Sequence, residues 1–223
     1  MGQAGWAGLT AIAGALLMLV GAALLQIAGV DLDTAVEDRA ITNYLIDAAA
    51  EEKLLIANLS VWIAGVTLLA VAGASLSMLG DRAHPATSAA RTLYAAGAPL
   101  AVAAFVVWFA LIKLAAGTVD PAADTSLAET LAWIATRADW IATIMLVAAG
   151  PALLSLAGRG TWVPRWLAGW GAVAAIAGIL TAIAIFAGGL TTYGLLVVPV
   201  GVGWTIAAGV VALRTAKERP AAS

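Results

Sequence analysis

The chain has 223 residues, 63% of them hydrophobic and 11% charged, with a formal net charge of −2. Soluble domains carry roughly 25% charged residues, so an ordinary soluble globule is excluded, and the length leaves room for one helical bundle. There is no cysteine and a single histidine, His84, which excludes disulfides, Cys-ligated zinc or iron–sulfur centres, bis-histidine haem and multi-histidine zinc sites.

Six almost charge-free apolar stretches follow in chain order, at roughly 6–29, 54–79, 92–114, 134–157, 164–187 and 192–213. A membrane span needs about 20 apolar residues, and only helices or closed barrels satisfy the backbone in lipid. Runs this evenly apolar, without inside–outside alternation, favour helices. The expected fold is an all-α membrane protein, a six-transmembrane-helix bundle forming one domain over 1–223. The first stretch exceeds the usual length of a signal-peptide core and is not preceded by Lys or Arg, so a retained helix is expected.

The first connection, 30–53, holds Asp31, Asp33, Glu37, Asp38, Asp47, Glu51 and Glu52 against Arg39 and Lys53. Asp33 and Thr34 suit N-caps, and Val36, Ala40, Tyr44 and Asp47–Ala48 recur at helical spacing, which predicts a short amphipathic helix on the bundle rim. Its carboxylates are either a vestibule that concentrates cations or a solvated face. The third connection, 117–125, is a Pro/Asp loop. It ends in Ser126-Leu127-Ala128-Glu129, a capping box that predicts a helix start there.

Arg82, Arg91, Arg159, Arg165, Arg214, Lys217 and Arg219 collect on alternate connections and after the last span. The positive-inside rule then places the protein in the plasma (inner) membrane with both termini cytoplasmic and the acidic connection outside. Trp162, Trp166 and Trp170 suit an inner interfacial belt, and Trp133 and Trp140 an outer one.

Three local matches run in order along the chain. The segment at 21–29, GAALLQIAG, matches 150–158, GPALLSLAG, at six of nine positions. Trp62-Ile63-Ala64-Gly65 resembles Trp166-Leu167-Ala168-Gly169, and Tyr94 with Pro99 resembles Tyr193 with Pro199. They pair spans one with four, two with five and three with six. The alternatives are two inverted three-helix repeats, as in many transporters, or chance matching of Ala/Leu/Gly-rich helices.

Two groups of candidate site residues follow from depth. At ~1.5 Å per residue from Arg91 and Arg159, Lys113 and Arg137 lie roughly 33 Å from the inner face. Asp139, Glu51, Glu52 and Asn58 fall near the same level. These six define an outer polar cluster, with Lys113 paired to Asp139 and Arg137 to Glu51 or Glu52, either as interfacial anchors or as a cavity mouth. On this reckoning no charged side chain reaches the bilayer centre. The centre holds Pro99, Pro151 and Pro199, each of which removes a backbone hydrogen bond. With Thr67, Trp108, Trp204 and Thr205 they define a candidate mid-membrane pocket, or else close packing of Gly- and Pro-containing helices.

The order of features resembles a bacterial six-span family of uncharacterised integral membrane proteins, actinobacterial in its Ala and Gly content. The resemblance covers nearly the whole chain. It rests on the acidic first connection and on the Trp162-Val163-Pro164-Arg165-Trp166-Leu167 entry into span five. It implies the six-span fold and carries no activity or site residues.

The functional expectation is a transport- or channel-like protein, or a binder of a lipid or other small lipophilic molecule. The alternative is a non-catalytic structural or accessory subunit, as a homo-oligomer or within a membrane complex. No nucleophile–base pair appears at any depth, so no enzyme is expected, and Asp81-Arg82-Ala83-His84 reads as a turn. The expected partners are the lipid bilayer and such a ligand or complex. Nucleic acid, a cofactor and a metal are not expected.

Overall fold

The computed structural model describes residues 2–117, 125–188 and 190–218. Its helices are α1 (Gln3–Ala28), α2 (Leu32–Glu37), α3 (Ile41–Ala50), α4 (Glu52–Ser77), α5 (Pro85–Gly117), α6 (Thr125–Ile144), α7 (Gly150–Ala157), α8 (Arg165–Ala187) and α9 (Leu190–Glu218). A π-helical turn, Met145–Ala149, joins α6 to α7 within one span. Six helices are long and apolar enough to cross a membrane, and among the described residues no strand forms, only an isolated bridge between Arg159 and Val163. The protein is an all-α, multi-pass membrane bundle.

The spans form a closed ring in chain order: α1, α4, α5, the α6–α7 span, α8 and α9, which returns to α1. Small residues set the close approaches, as lipid-embedded helices require when no hydrophobic force drives them together. A Cβ on Gly14 would meet the Gly65 carbonyl at 3.1 Å, which fixes α1 on α4, and one on Gly8 would meet the Gly209 carbonyl at 2.6 Å, which fixes α1 on α9. Larger residues there would push the backbones apart.

Among the described residues, span four contains the one departure from α geometry within the spans. Pro151 has no N–H for the Val147 carbonyl four residues back, and its ring would collide with that carbonyl in a regular helix. The chain widens instead, and the Gly150 N–H bonds to the Met145 carbonyl five residues back. The Val147 carbonyl turns toward α9, where a Cβ on Gly201 would run into it. Pro99 and Pro199 behave differently from the expectation of broken helices. α5 and α9 continue through them, with both rings on the exposed surface.

The first connection folds into two short helices rather than one. Asp31 caps α2, accepting from the Asp33 backbone N–H at 2.9 Å and the Thr34 hydroxyl at 3.0 Å, so Asp33 and Thr34 lie inside the helix they were expected to cap. Arg39 then adopts a left-handed conformation, φ 56°, which turns the chain into α3. Ile41, Tyr44, Leu45 and Ala48 form the buried stripe of α3, the i, i+3, i+4, i+7 spacing of an amphipathic helix. This α2–α3 cap lies across one end of the ring. α2 rests on α6 and α9, and α3 on α5 and α6. Arg82, Arg159, Arg165, Arg214 and Lys217 are exposed at the opposite end.

Several helix ends differ from the apolar limits. α6 begins at Thr125, so Ser126 lies within its first turn rather than capping it. The tip of the third connection, with Asp120, and the tail from Arg219 fall outside the described residues.

Candidate functional site

An aromatic hydrogen bond joins the cap to the bundle. The Trp108 indole N–H on α5 donates to the Tyr44 hydroxyl on α3 at 2.5 Å, with both residues buried. Beneath it, Trp62 stacks on Phe105 at 5.6 Å, tilts against Trp108 at 6.0 Å, and donates its N–H to the Met18 carbonyl at 3.1 Å. Burial raises the Tyr44 phenol well above its ordinary pKa, so it stays a neutral hydroxyl.

Next to this aromatic layer the cap carries a carboxylate inward. Asp33 lies on α2, which packs on α6, and Arg137, Asp139 and Trp140 of α6 act on its carboxyl. Burial is the largest influence on Asp33 and pushes its carboxyl well above the usual range. The negative charges of Asp139 and Asp31 add to the rise, while Trp140 and Arg137 oppose it. The Trp140 N–H lies against the carboxyl and Arg137 acts on it by charge, and burial outweighs both. Asp33 Oδ1, Arg137 Nε and Trp140 Nε1 are all enclosed and all lack a hydrogen-bond partner. Arg137 spends its other contacts on α6 itself, donating to the Thr136 hydroxyl at 3.2 Å and lying 5.6 Å from the centre of the Trp133 ring. Enclosed polar atoms normally find partners, so three of them beside one another make this place a candidate site.

Asp139 lines a mostly enclosed cavity of about 40 Å³, with Met18, Val66, Ala101, Thr143, Leu146 and Val202 among its walls. These residues come from near the midpoints of five spans. One water needs roughly 10–15 Å³ of such volume, so the cavity accommodates very few waters. A drug-sized or lipid-like molecule needs about 300–1,000 Å³. Among the described residues, Asp139 has no hydrogen bond or ion pair.

The expected outer cluster is therefore dispersed. Lys113 pairs with Glu52 at 2.5 Å rather than with Asp139. With relative exposures of 51% and 30%, the pair contributes at most ~1 kcal/mol. Arg137 faces Trp133 and Asp33 rather than Glu51 or Glu52. Glu51 sits at the junction of α3 and α4. Asn58 is fully buried, donates to the Gly21 carbonyl at 2.7 Å, and leaves its own Oδ1 unpartnered. Asp139 leaves the group for the cavity.

The expected mid-membrane pocket does not assemble either, since none of its seven residues lines the cavity. Pro99, Pro199 and Thr67 are exposed, and the Thr67 hydroxyl bonds back to the Ile63 carbonyl at 2.7 Å. Pro151 is buried behind the π-helical turn. Trp108 belongs to the cap layer. Trp204 is buried in the half away from the cap, its N–H shared between the Ser155 hydroxyl and the Leu167 carbonyl at 3.1 Å each. Thr205 donates to the Gly201 carbonyl at 2.9 Å. Of the expected tryptophan belts, Trp133 and Trp166 are exposed, while Trp162 is buried and Trp140 turns under the cap.

The signal for Asp139 was present in the helical phase of α6. It falls in register with the buried residues Ala132, Ala135, Ala142 and Leu146, the face that must point inward. Asp33 had no comparable signal, because its inward direction depends on where α2 settles on α6. Among the described residues no three His, Cys, Asp or Glu side chains converge as metal ligands. No protein-family model, curated protein or solved structure matches the chain.

Proposed function

We propose that the chain is a small transport-like protein of the plasma membrane, without catalytic activity of its own, whose Asp139 binds a small cationic solute within the bundle. The observation that carries this reading is an unpartnered carboxylate on an enclosed mid-bundle cavity. An ionisable residue inside a membrane bundle is costly and is a functional-site candidate by default. The cavity volume favours a small polar solute over a lipid or other lipophilic ligand. The ring of spans and the three ordered local matches support an inverted-repeat plan, in which such sites lie between the halves. The exposed arginines opposite the cap support cytoplasmic termini and an external cap.

Flux into proteoliposomes tests the reading. Asp139→Asn should abolish cation-dependent flux while leaving the melting temperature nearly unchanged, whereas equal flux in both proteins would remove Asp139 from the site. Orientation is checked by single cysteines in a chain that has none of its own. One at Asp38 should react with an impermeant reagent from outside and one at Arg82 should not. A second reading, a non-catalytic accessory subunit, is favoured by the row Ile176, Ile179, Ile183 and Phe186 exposed along α8. It requires a partner that shields α8 from lipid-phase photolabelling in native membranes.

A further inference from the structure

The walls of the mid-bundle cavity restrict the chemistry of what it can hold. Asp139 and Thr143 stand one helical turn apart on α6, so both lie on one face, and both line the cavity. Among the described residues neither side chain is engaged in a hydrogen bond or an ion pair. Arg137, two residues before Asp139, lies over the Trp133 ring instead, so no basic side chain of the protein pairs with the Asp139 carboxylate. The rest of the lining, from Met18 on α1 to Val202 on α9, is apolar.

The side chains of this lining therefore offer three oxygen acceptors, two on the carboxylate and one on the hydroxyl. A divalent metal cation stripped of water typically needs six or more oxygens, and apolar walls cannot replace its water shell. A primary ammonium group carries three N–H donors and no acceptor, which matches the three oxygens. Its charge also compensates the enclosed carboxylate, which is costly while it stands alone. The cavity measures about 40 Å³, and at ~10–15 Å³ for each water-sized centre it holds roughly three non-hydrogen atoms. Once the nitrogen is on the oxygens, the remaining space faces apolar walls. Such walls favour carbon there, because a second polar group would be buried without a partner.

We propose that the mid-bundle cavity binds a primary alkylammonium ion with an alkyl part of about one or two carbons. Its N–H groups donate to the Asp139 carboxylate and the Thr143 hydroxyl, and its alkyl end lies among Val66, Leu69, Val198 and Val202. The proposal rests on the transport reading and names the class of its solute. Selection follows from the two ends of the site. The oxygens reject quaternary ammonium ions, which have no N–H to donate, and neutral alcohols, which bring no charge. The walls reject longer or branched amines by volume, and metal cations because they supply no further oxygens.

Equilibrium binding of radiolabelled ethylammonium to the full chain in lipid nanodiscs tests the site apart from transport. Binding should saturate. Unlabelled methylammonium chloride should displace the label, while tetramethylammonium chloride, sodium chloride and ethanol should not. Asp139→Asn should abolish binding, and Thr143→Val should weaken it by about tenfold or more, the cost of losing one hydrogen bond to a charged group. If Asp139→Asn does not fold, Val66→Ala enlarges the apolar end and should shift preference from methylammonium toward propylammonium. No saturable binding, displacement by sodium as readily as by methylammonium, or binding unchanged in both Asp139→Asn and Thr143→Val would each overturn the proposal. So would an unshifted preference in Val66→Ala. If binding behaves as expected and proteoliposomes carry no alkylammonium flux, the site stands and the transport reading fails. If Asp139-dependent flux of another cation is found while ethylammonium does not bind, the transport reading stands and the alkylammonium site fails.

Discussion

The half of the bundle under the cap and the half opposite it satisfy their buried polar groups in different ways. Opposite the cap, Trp204 divides its N–H between Ser155 and Leu167, and Arg91 donates to the Ser77 hydroxyl at 2.8 Å. Tyr94 fills the space that Cβ atoms on Gly73 and Gly150 would occupy. Under the cap lie all four enclosed side-chain atoms without partners among the described residues: Asp33 Oδ1, Asn58 Oδ1, Arg137 Nε and Trp140 Nε1. One half is finished by its own packing. The other carries polar cost of the kind that persists at functional sites.

The contrast breaks first where the finished packing is tightest. Gly201→Val would drive a side chain into the Val147 carbonyl, and overpacking of backbone against backbone should cost about 3 kcal/mol or more. The expected result is loss of monodisperse protein on size exclusion in detergent. A well-behaved variant of unchanged melting temperature would mean that α9 and the π-helical turn are not held as described.

Next in size, Trp204→Phe strands the Ser155 hydroxyl without its donor and should lower global stability by roughly 1–3 kcal/mol. Tyr44→Phe under the cap leaves the Trp108 N–H without an acceptor, yet its effect should be local. Hydrogen exchange should rise in α2 and α3 while global melting hardly moves. Equal global losses from the two substitutions would erase the difference between the halves.

A pH series sharpens the comparison further. Asp33 has a folded pKa above its unfolded value, so the folded state binds the extra proton in the window between the two. Its contribution is fully present below the unfolded value, near 3.9, and is lost as pH rises through the folded value. Protection of α2 against exchange should therefore weaken from acid toward neutral pH, and Asp33→Asn should flatten that slope. A cap whose protection strengthens with pH would contradict the burial of Asp33. The smallest effect is assigned to Lys113→Met, which removes only the exposed pair with Glu52 and should change stability by no more than ~1 kcal/mol. A larger loss in a chemical denaturation series would return that pair to the site.

The spans were legible because each is a long apolar run, and the amphipathic stripe of α3 was legible from its spacing. The site was less so, for particular reasons. Depth counted in residues from Arg91 and Arg159 treats helix ends as membrane edges. But α5 runs from Pro85 to Gly117 and span four from Thr125 to Ala157, both longer than the ~20 residues that cross the hydrocarbon. Asp139 then falls near the middle of its span rather than at its rim. Counting also ignores azimuth, which separates inward Asp139 from Arg137, two residues earlier in the chain. Pro99 and Pro199 looked like breaks because proline lacks a donor. A helix surface tolerates that loss where the ring points away from its neighbours, whereas at Pro151 the buried position left only a wider turn. The contact of Asp33 with α6 joins segments about a hundred residues apart, and nothing in the local pattern of either encodes it.

The ring order has a consequence for how the protein is made. Each span neighbours the one before it, so α4 settles on α1, and α5 on α4, as they emerge. The cap, however, is synthesised second and rests on α5, α6 and α9, so its seat is complete only when the last helix has arrived. Tyr44 meets Trp108 once α5 is in place and Asp33 meets Arg137 once α6 is, and before that the acidic segment waits in water, where its charges are at home. The Gly8–Gly209 contact that closes the ring is thus also the step that completes the platform for the cap, and a ribosome stalled before α9 leaves a membrane-inserted chain whose charged lid rests on α5 and α6 without the α9 side of its seat.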